Sequence, residues 1–313
     1  MTVSTLSETL DDEQQAFRAE LLDAGVLLGT ALPGAYIHSE AFERVVSGVA
    51  AVVSDRARST DHPVVVRVPP VMARSRLLET NYLSAFPDLI GSVHSFRGSH
   101  REHAALVAAA ASGGDWAGDL TPVDAVLCPA ACHQVYPLCG PVVPPAGLRF
   151  DVLGQCFRAE PSMDPARMQS FRMQEQVVVG TPAAALAHRD RWLSEASRVF
   201  AELGLTTTVE PANDAFFGRL SGVLAAGQRA KNLKYEVGGR TSSTRTLTAL
   251  ASANYHEDHF GTVFGLTTED GATAHTACVG FGLERVALAL FAEHGMTLDR
   301  WPDQVMVMLA VGR

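Results

Sequence analysis

Residues 155–175 read QCFRAEPSMDPARMQSFRMQE, and this stretch decides the fold. Its pattern predicts a strand Val152–Arg158, a reversal through a Pro- and Ser-containing segment, and a returning strand Phe171–Val179. Side chains two apart on a strand face the same side of a sheet, so Arg158 and Glu160 would share a face. The hairpin therefore predicts an arginine, a carboxylate and the aromatic ring of the returning strand around one cleft.

A second motif lies near the C-terminus, where residues 280–285 read GFGLER. It predicts a helix Leu283–His294 with Arg285 in the first turn, directly behind two glycines. A helix N-terminus attracts anions, and an arginine there adds a bidentate positive charge. Alone, each motif has an ordinary structural explanation, a surface ion pair or a turn. Together they indicate a nucleotide phosphate site.

The rest of the chain predicts an α+β fold on an antiparallel sheet. Helical periodicity covers residues 11–24, 39–57 and 183–203. No regular crossover helices separate the strands of the second half, so a doubly wound parallel sheet is not expected. The alternating segments predicted as antiparallel strands are Thr206–Val209, Tyr235–Val237, Thr246–Ala253 and Thr262–Leu266.

Composition excludes several classes of protein. The chain has 313 residues, 47% of them hydrophobic, which is enough for a full core. Its net charge of −9 opposes a large nucleic-acid footprint. The first twenty residues lack the apolar core of a secretory signal, and no apolar run could span a bilayer. Five cysteines, an odd number, suit a reduced cytoplasm better than a disulfide framework.

The two motifs resemble motifs 2 and 3 of the class II aminoacyl-tRNA synthetases. That resemblance implies a class II synthetase-like antiparallel sheet flanked by helices, a bent ATP and a homodimer. It also implies that Arg158 and Arg285 are catalytic and bind the α- and γ-phosphates, while Glu160 binds the adenine edge and Phe171 its face. Motif 1 is the weakest match, with a helix at 41–57 and a strand ending at Pro69 or Pro70 as its candidates.

Cysteine spacing by itself suggests a metal site of another kind. The closely spaced residues Cys128, Cys132, His133 and Cys139 could form a closed zinc site. Spacing cannot decide between this cluster and more distant ligands, and Cys156 is expected to pack in the core.

A closer resemblance gives a different ligand set. The segments ACHQVYP, DPARMQSFRMQE and NYHEDHFG resemble the methanogen-type seryl-tRNA synthetases and, more closely, the short bacterial amino acid:[carrier protein] ligases. The match covers about residues 60–300. It implies one zinc ion per subunit, held by Cys132, Glu175 and Cys278, that binds the α-amino group of the substrate.

The same resemblance implies a reaction and its partners. ATP with Mg²⁺ would activate a small amino acid, glycine or alanine, to an aminoacyl-adenylate, and the phosphopantetheine thiol of a carrier protein would take the aminoacyl group. An inserted helix in 216–234 would dock the carrier. The candidate docking residues are Arg219, Arg229, Lys231 and Lys234, and the candidate substrate contacts are Asn213, Asp214, Asn254 and His256.

The chain is expected to form a single catalytic domain over 1–313, with helices in 1–58 and no separate arm to grip tRNA. This expectation and the negative charge favour carrier protein over tRNA as acceptor, and no membrane partner is expected. Two alternatives stay open, a tRNA-charging enzyme and a non-catalytic amino-acid-binding paralogue. Magnesium ligands are unassigned, because TLTALASANY, the strand before motif 3, carries no carboxylate.

Overall fold

The hairpin expected around residues 155–175 lies within the main sheet. The computed structural model describes residues 12–217, 221–242 and 246–311. In it, Leu148–Phe157 pairs antiparallel with Ser170–Gly180 over ten residue pairs. Phe171, Met173 and Glu175 of the quoted stretch lie on one face of the sheet, where they line a cavity together with Arg158 and Glu160 from the segment between the two strands.

The described residues form ten α-helices and fourteen strands. The helices are α1 Asp12–Asp23, α2 Glu40–Thr60, α3 Arg74–Glu79, α4 Tyr82–Ala85, α5 His100–Ala111, α6 Pro182–Glu202, α7 Ser221–Ala230, α8 His259–Phe264, α9 Leu283–His294 and α10 Asp303–Met308. The strands are β1 Leu27–Gly29, β2 Tyr36–His38, β3 Val64–Val68, β4 Val71–Met72, β5 Ser92–Ser95, β6 Thr121–Leu127, β7 Val142–Val143, β8 Leu148–Phe157, β9 Ser170–Gly180, β10 Thr207–Pro211, β11 Lys234–Gly239, β12 Thr248–Tyr255, β13 Thr267–Thr268 and β14 His275–Gly282.

Seven strands make the main sheet, in the order β10-β11-β12-β14-β9-β8-β3. All neighbours in it are antiparallel except β3, which joins the edge parallel to β8. A three-stranded sheet, β4-β6-β5, and two two-stranded sheets, β1-β2 and β13-β7, complete the topology of the described residues. The predicted α+β class with an antiparallel sheet flanked by helices is confirmed.

Strand β14 shows how the sheet separates core from cavity. Val279 and Phe281 pack into the main apolar core with α2, α6 and α9. The residues between and beside them, Cys278, Gly280 and Gly282, line a cavity on the other face. This alternation follows from the two-residue period of a strand. One face of the sheet is therefore covered by helices, and the opposite face forms the floor of the cavity.

The long helices begin where the sequence supplies caps. The Ser39 hydroxyl accepts a hydrogen bond from the Phe42 amide at the start of α2, and the Thr181 hydroxyl accepts from Ala184 at the start of α6. The predicted helix Leu283–His294 matches α9 at both ends, with Gly295 beyond its last residue.

Three local predictions differ from the structure. Thr262–Leu266 was expected to be a strand and instead overlaps α8, which Gly265 ends with φ 64; a short apolar run does not distinguish a strand from a helix. β8 ends at Phe157, so Arg158 and Glu160 lie in the loop beyond the strand. The helices of the first 58 residues are separated by the hairpin β1-β2, which the periodicity did not indicate.

None of the helices in the described ranges is long and apolar enough to cross a membrane.

Candidate active site

Four neighbouring strands form the floor of a cavity of about 500 Å³. One row of facing positions runs Glu236, Ser252, Gly280 and Glu175 across β11, β12, β14 and β9. Gly280 lies opposite Glu175, and an added Cβ there would come within 2.9 Å of the Met173 side chain. The glycine keeps the centre of the floor open.

Two arginines line the cavity at the end where the sequence predicts the nucleotide. The Arg158 guanidinium lies 5.4 Å from the centre of the Phe171 ring, and its Nε donates to the Pro129 carbonyl at 3.4 Å. Arg285 donates from Nε to the Ala166 carbonyl at 2.9 Å and from a terminal nitrogen to the Ala249 carbonyl at 3.2 Å. Both guanidinium groups are therefore held in place by neutral backbone oxygens.

The positive charge at this end is offset only at a distance, by Glu160 and Glu236 near Arg285. Burial, and then the neighbouring Arg158, hold the pKa of Arg285 below its usual value. Within the described ranges, no carboxylate lies at ion-pair distance from either guanidinium. Two cations that face one cavity without a paired carboxylate form a site for a polyanion. Glu160 and Phe171 line the same end, so the four residues predicted for ATP converge.

The predicted zinc ligands also converge, at the other end of the floor. One donor atom each from Cys132, Glu175 and Cys278 lies within 4.8 Å of the others, and all three residues are buried. The short turn at 131–134 presents Cys132, and its Ala131 and Cys132 amides donate to the Glu175 carboxylate at 2.7 and 3.2 Å. Across the described ranges, this trio is the one group of at least three His, Cys, Asp or Glu residues that could hold a metal.

The donor chemistry of this trio fits a zinc ion. Burial, and then the negative charge of the neighbouring Cys278 thiolate, raise the pKa of Glu175 to about 8. The carboxylate therefore lacks a nearby positive charge that would keep it ionised at neutral pH. A divalent cation supplies that charge, and two thiolates with one carboxylate are a ligand set that zinc accepts with a position left open. The closely spaced cluster Cys128, Cys132, His133 and Cys139 is not brought together in the described structure.

Of the four candidate substrate contacts, three line the cavity and one does not. Asn254 and His256 line the cavity beside the metal trio: the Asn254 amide lies 3.9 Å and His256 Nε2 lies 3.7 Å from the Cys278 sulfur. Asp214 also lines the cavity. Asn213 is absent from the lining, and its amide donates to the Asp214 backbone oxygen.

The docking candidates do not form one group. Arg229 is exposed on α7, and Lys231, just beyond the helix, is exposed and pairs with Glu257 at 3.1 Å. Lys234 lies on β11 with its ammonium buried against Asp214 and Glu236, and it lines the cavity. Arg219 lies outside the described residues.

Sequence reasoning missed an aromatic wall of the cavity. Tyr82, His133 and Phe260 line the cavity, with His133 packed 5.9 Å from each of the other two ring centres. Tyr136 supports the wall from behind, stacked on Phe260 at 4.2 Å. Burial lowers the pKa of His133 to about 3, so its ring is neutral. The sequence indicated this wall only by the aromatic residues in segments near the motifs.

Comparisons with known proteins agree with this architecture. Amino acid–[acyl-carrier-protein] ligase 1 of Bradyrhizobium diazoefficiens is 43% identical over 282 residues, which cover 89% of this chain and 85% of the relative. Ligase 2 of the same organism is 43% identical over 285 residues. The type-2 serine–tRNA ligase of Methanopyrus kandleri is 30% identical over 58% of this chain and 37% of its own length. No protein-family profile matches the chain.

Solved structures show the same fold. The seryl-tRNA synthetase of M. kandleri, solved with an A. aeolicus tRNA, has a TM-score of 0.78 at 21% identity over 99% of this chain. The synthetase of Pyrococcus horikoshii, solved with ATP, has a TM-score of 0.70 at 15% identity over 94% of this chain. This chain spans 62% of each of those two.

The fold and the cavity thus define a class II aminoacyl-tRNA synthetase-like protein. The relatives that it matches over most of its own length and most of theirs are the two Bradyrhizobium carrier-protein ligases. The chain belongs to the amino acid–[acyl-carrier-protein] ligases.

Proposed function

We propose that the protein activates glycine or alanine with ATP and transfers the aminoacyl group to the phosphopantetheine thiol of a carrier protein. The observation that carries this proposal is a single cavity with two unpaired arginines at one end and the Cys132, Glu175 and Cys278 trio at the other. A small amino acid fits between these ends with its amino group toward the trio and its carboxylate toward the arginines.

The first step needs positioning and charge rather than a protein nucleophile. A carboxylate oxygen of the amino acid attacks the α-phosphorus of ATP, and pyrophosphate leaves. Arg158 holds the α-phosphate and Arg285 the γ-phosphate, so both neutralise charge that develops during the attack. Phe171 stacks on the adenine and Glu160 binds its edge. Mg²⁺ accompanies the ATP.

Amino-acid selection belongs to the opposite end. Cys132, Glu175 and Cys278 would hold a zinc ion, which would supply a Lewis acid for the free amino group of the substrate. Asn254 and His256, beside the Cys278 sulfur, orient the substrate there. The rings of Tyr82, His133 and Phe260 line this end, and we expect them to favour glycine or alanine over larger substrates.

The second step transfers the aminoacyl group. The carrier's thiol sulfur attacks the adenylate carbonyl, a C–S bond forms as the C–O bond to phosphate breaks, and AMP leaves. Helix α7 with the exposed cations Arg229 and Lys231 is the proposed docking surface, since carrier proteins are acidic. The relatives named as carrier-protein ligases support this acceptor over tRNA.

We also propose a homodimer in the cytoplasm, built on one catalytic domain. Edge strand β3, at the position expected for motif 1, exposes Val64 by 55% and Val65 by 46%, so its free edge is apolar on both faces. The five unpaired cysteines suit a reducing compartment. Analytical ultracentrifugation tests the dimer, and a single monomeric species at micromolar concentration would refute it.

The deciding experiment is ATP–pyrophosphate exchange across all small amino acids, with and without a zinc chelator. We expect exchange with glycine or alanine that stops on chelation and returns with Zn²⁺. Holo carrier proteins and bulk tRNA are then compared as acceptors of the labelled amino acid. Zinc-loaded protein that supports no exchange would make the site a binding scaffold, and transfer to tRNA alone would make the enzyme a tRNA ligase.

A further inference from the structure

A chain of four polar side chains connects helix α7 to the cavity. It begins at Gln228, whose Oε1 accepts a hydrogen bond from the Asp214 amide at 2.7 Å. Gln228 Nε2 donates to Oδ2 of the same aspartate at 2.8 Å. The oxygen and the nitrogen of the Gln228 amide group therefore both hydrogen-bond to Asp214. Among the described side chains of α7, Gln228 is the one that lines the cavity.

Asp214 connects Gln228 to Lys234 through its carboxylate group. Its second carboxylate oxygen accepts from Lys234 Nζ at 2.6 Å, and Glu236 Oε1 lies 3.0 Å from the same ammonium. Burial alone would raise the pKa of Asp214, but Lys234 and Gln228 hold that pKa below its usual value. The aspartate is therefore charged at neutral pH, and the ammonium lies between two fixed oxygens.

The position of Lys234 places this chain next to the amino-acid end. Lys234 pairs with Asn254 across β11 and β12, and Asn254 pairs with Cys278 across β12 and β14. The Asn254 amide contacts the Cys278 sulfur. A displacement of the Lys234 side chain would therefore change the position of its cross-strand neighbour Asn254, which we place against the substrate.

Among the side chains of α7 that the structure describes, Gln228 is the one that hydrogen-bonds to a residue outside the helix. Gly222 and Gly227 lie inside it, and a Cβ added at either would meet no atom within 4 Å, so packing does not require a glycine. Each costs about 1 kcal/mol of helix stability relative to alanine. The hydrogen bonds of Gln228 therefore fasten a helix that is weak by composition to Asp214.

We propose that Gln228 is a positioning residue, through which helix α7 fixes Asp214 and Lys234 and so the amino-acid end of the cavity. The inference rests on the proposed function, in which α7 receives the carrier and the cavity binds a small amino acid. It gives that helix a second role, because the element that meets the carrier also holds one wall of the active site.

The test exchanges the two partners. In Gln228→Glu the carboxylate can no longer donate to Asp214 and repels it. In Asp214→Asn the new amide can point its NH₂ at the amide of Gln228. The double variant Gln228→Glu/Asp214→Asn restores one donor and one acceptor in the opposite order, keeps the net charge, and leaves an oxygen for Lys234.

We expect each single variant to raise the KM for the amino acid about fivefold in carrier-free pyrophosphate exchange, with kcat changed less than twofold. The double variant should return the KM to within twofold of wild type. Gln304→Ala, at an exposed glutamine of α10, is the matched control and should leave both constants unchanged. Thermal unfolding of every variant within about 3 °C of wild type separates positioning from general loss of structure.

A double variant no better than the worse single variant would overturn the inference while wild-type exchange keeps the proposed function intact. Equal effects on KM and kcat in all three variants would also overturn it. Failure of wild-type exchange refutes the proposed function itself, and the inference with it. Because the assay contains no carrier, its result is independent of which acceptor the enzyme uses.

Discussion

Arg172 and Glu284 join the strand of motif 2 to the helix of motif 3. The Arg172 Nε donates to one oxygen of Glu284 at 2.7 Å, and the Arg172 backbone amide donates to the other at 2.7 Å. Two further nitrogens of the same guanidinium donate to Glu43 of α2 at 2.7 and 2.8 Å. Since Phe171 precedes Arg172 and Arg285 follows Glu284, this ion pair sets the distance between two residues proposed to bind ATP.

Replacing Arg172 with alanine should therefore affect both stability and activity. Glu284 is 1% exposed, so the variant leaves a buried charge unpaired, at a cost of about 3–5 kcal/mol in the free energy of unfolding. Exchange activity should fall in parallel. Urea denaturation measures the loss, and Arg172→Ala/Glu284→Gln should recover part of it. The exposed pair of Arg58 and Asp55 is the control: Arg58→Ala should cost less than about 1 kcal/mol. Equal losses at the two sites would contradict this reading.

The metal assignment predicts a selective loss. Cys278→Ser should release zinc and abolish amino-acid-dependent exchange, because one of three ligands is gone. Metal content is measured by inductively coupled plasma mass spectrometry. Cys139→Ser, at a buried cysteine outside the trio, should keep its zinc. Full activity in metal-free Cys278→Ser protein would remove zinc from the proposal.

The ATP end predicts a stacking defect. Phe171→Ala should raise the KM for ATP by about tenfold, since stacking of an aromatic side chain on a base contributes about 1–3 kcal/mol. The KM for the amino acid should change little. Trp116→Ala, at an exposed aromatic residue, is the comparison. An unchanged KM for ATP would place the adenine elsewhere.

The docking surface predicts a defect confined to transfer. Arg229→Glu should lower kcat/KM for the carrier about tenfold at low salt, with a smaller effect as ionic strength rises. Exchange without carrier should stay at the wild-type rate, because Arg229 is exposed on α7 and absent from the cavity lining. A salt-independent effect would argue against electrostatic docking.

A buried histidine predicts how stability depends on pH. Burial lowers the pKa of His188 from its usual 6.5 to about 4. Asp61, Arg191 and Arg149 are the charged groups that face the ring. The folded state binds fewer protons than the unfolded state between these values, so stability should fall as the pH drops from about 6.5 to about 4.

The His188→Gln variant checks this prediction. An amide can still donate to the Gln176 carbonyl, which the ring contacts at 3.1 Å, but it does not titrate. The acid-induced loss should shrink by at most about 3 kcal/mol in urea titrations. His100→Gln at an exposed position should leave the pH profile unchanged. A wild-type slope in His188→Gln would assign the acid sensitivity to other groups.

Most of the fold followed from local signals in the sequence. The helix Leu283–His294 was predicted to the residue, because Gly282 and Gly295 bound a continuous apolar pattern. The predicted strand Thr262–Leu266 was wrong because its signal was only five residues long: Thr262, Val263 and Phe264 form the end of α8, and Gly265 terminates that helix. The hairpin of β1 and β2 has strands of three residues, which are too short to show a recognisable alternation of apolar and polar side chains.

The site was less accessible to residue-by-residue reasoning. Cys132, Glu175 and Cys278 come from a turn and two separate strands, so spacing pointed to Cys128 and Cys139 instead, and only the family resemblance named the trio. Lys234 was grouped with the exposed cations of the docking segment, but it lies on β11 with its charge buried between two acids. Charge in a sequence does not reveal burial. The roles of Gln228 and of the aromatic wall depend on contacts between distant segments, which no local pattern encodes.

All five cysteines are buried in the folded chain. A thiol-specific reagent therefore has no ready target on the native protein, whereas an unfolded chain offers five. Because Cys132 and Cys278 are far apart in sequence and meet only when β9 and β14 have paired, their protection reports completed assembly of the sheet rather than local order. The rate at which these two thiols become protected from labelling during refolding would then measure how fast the cavity forms.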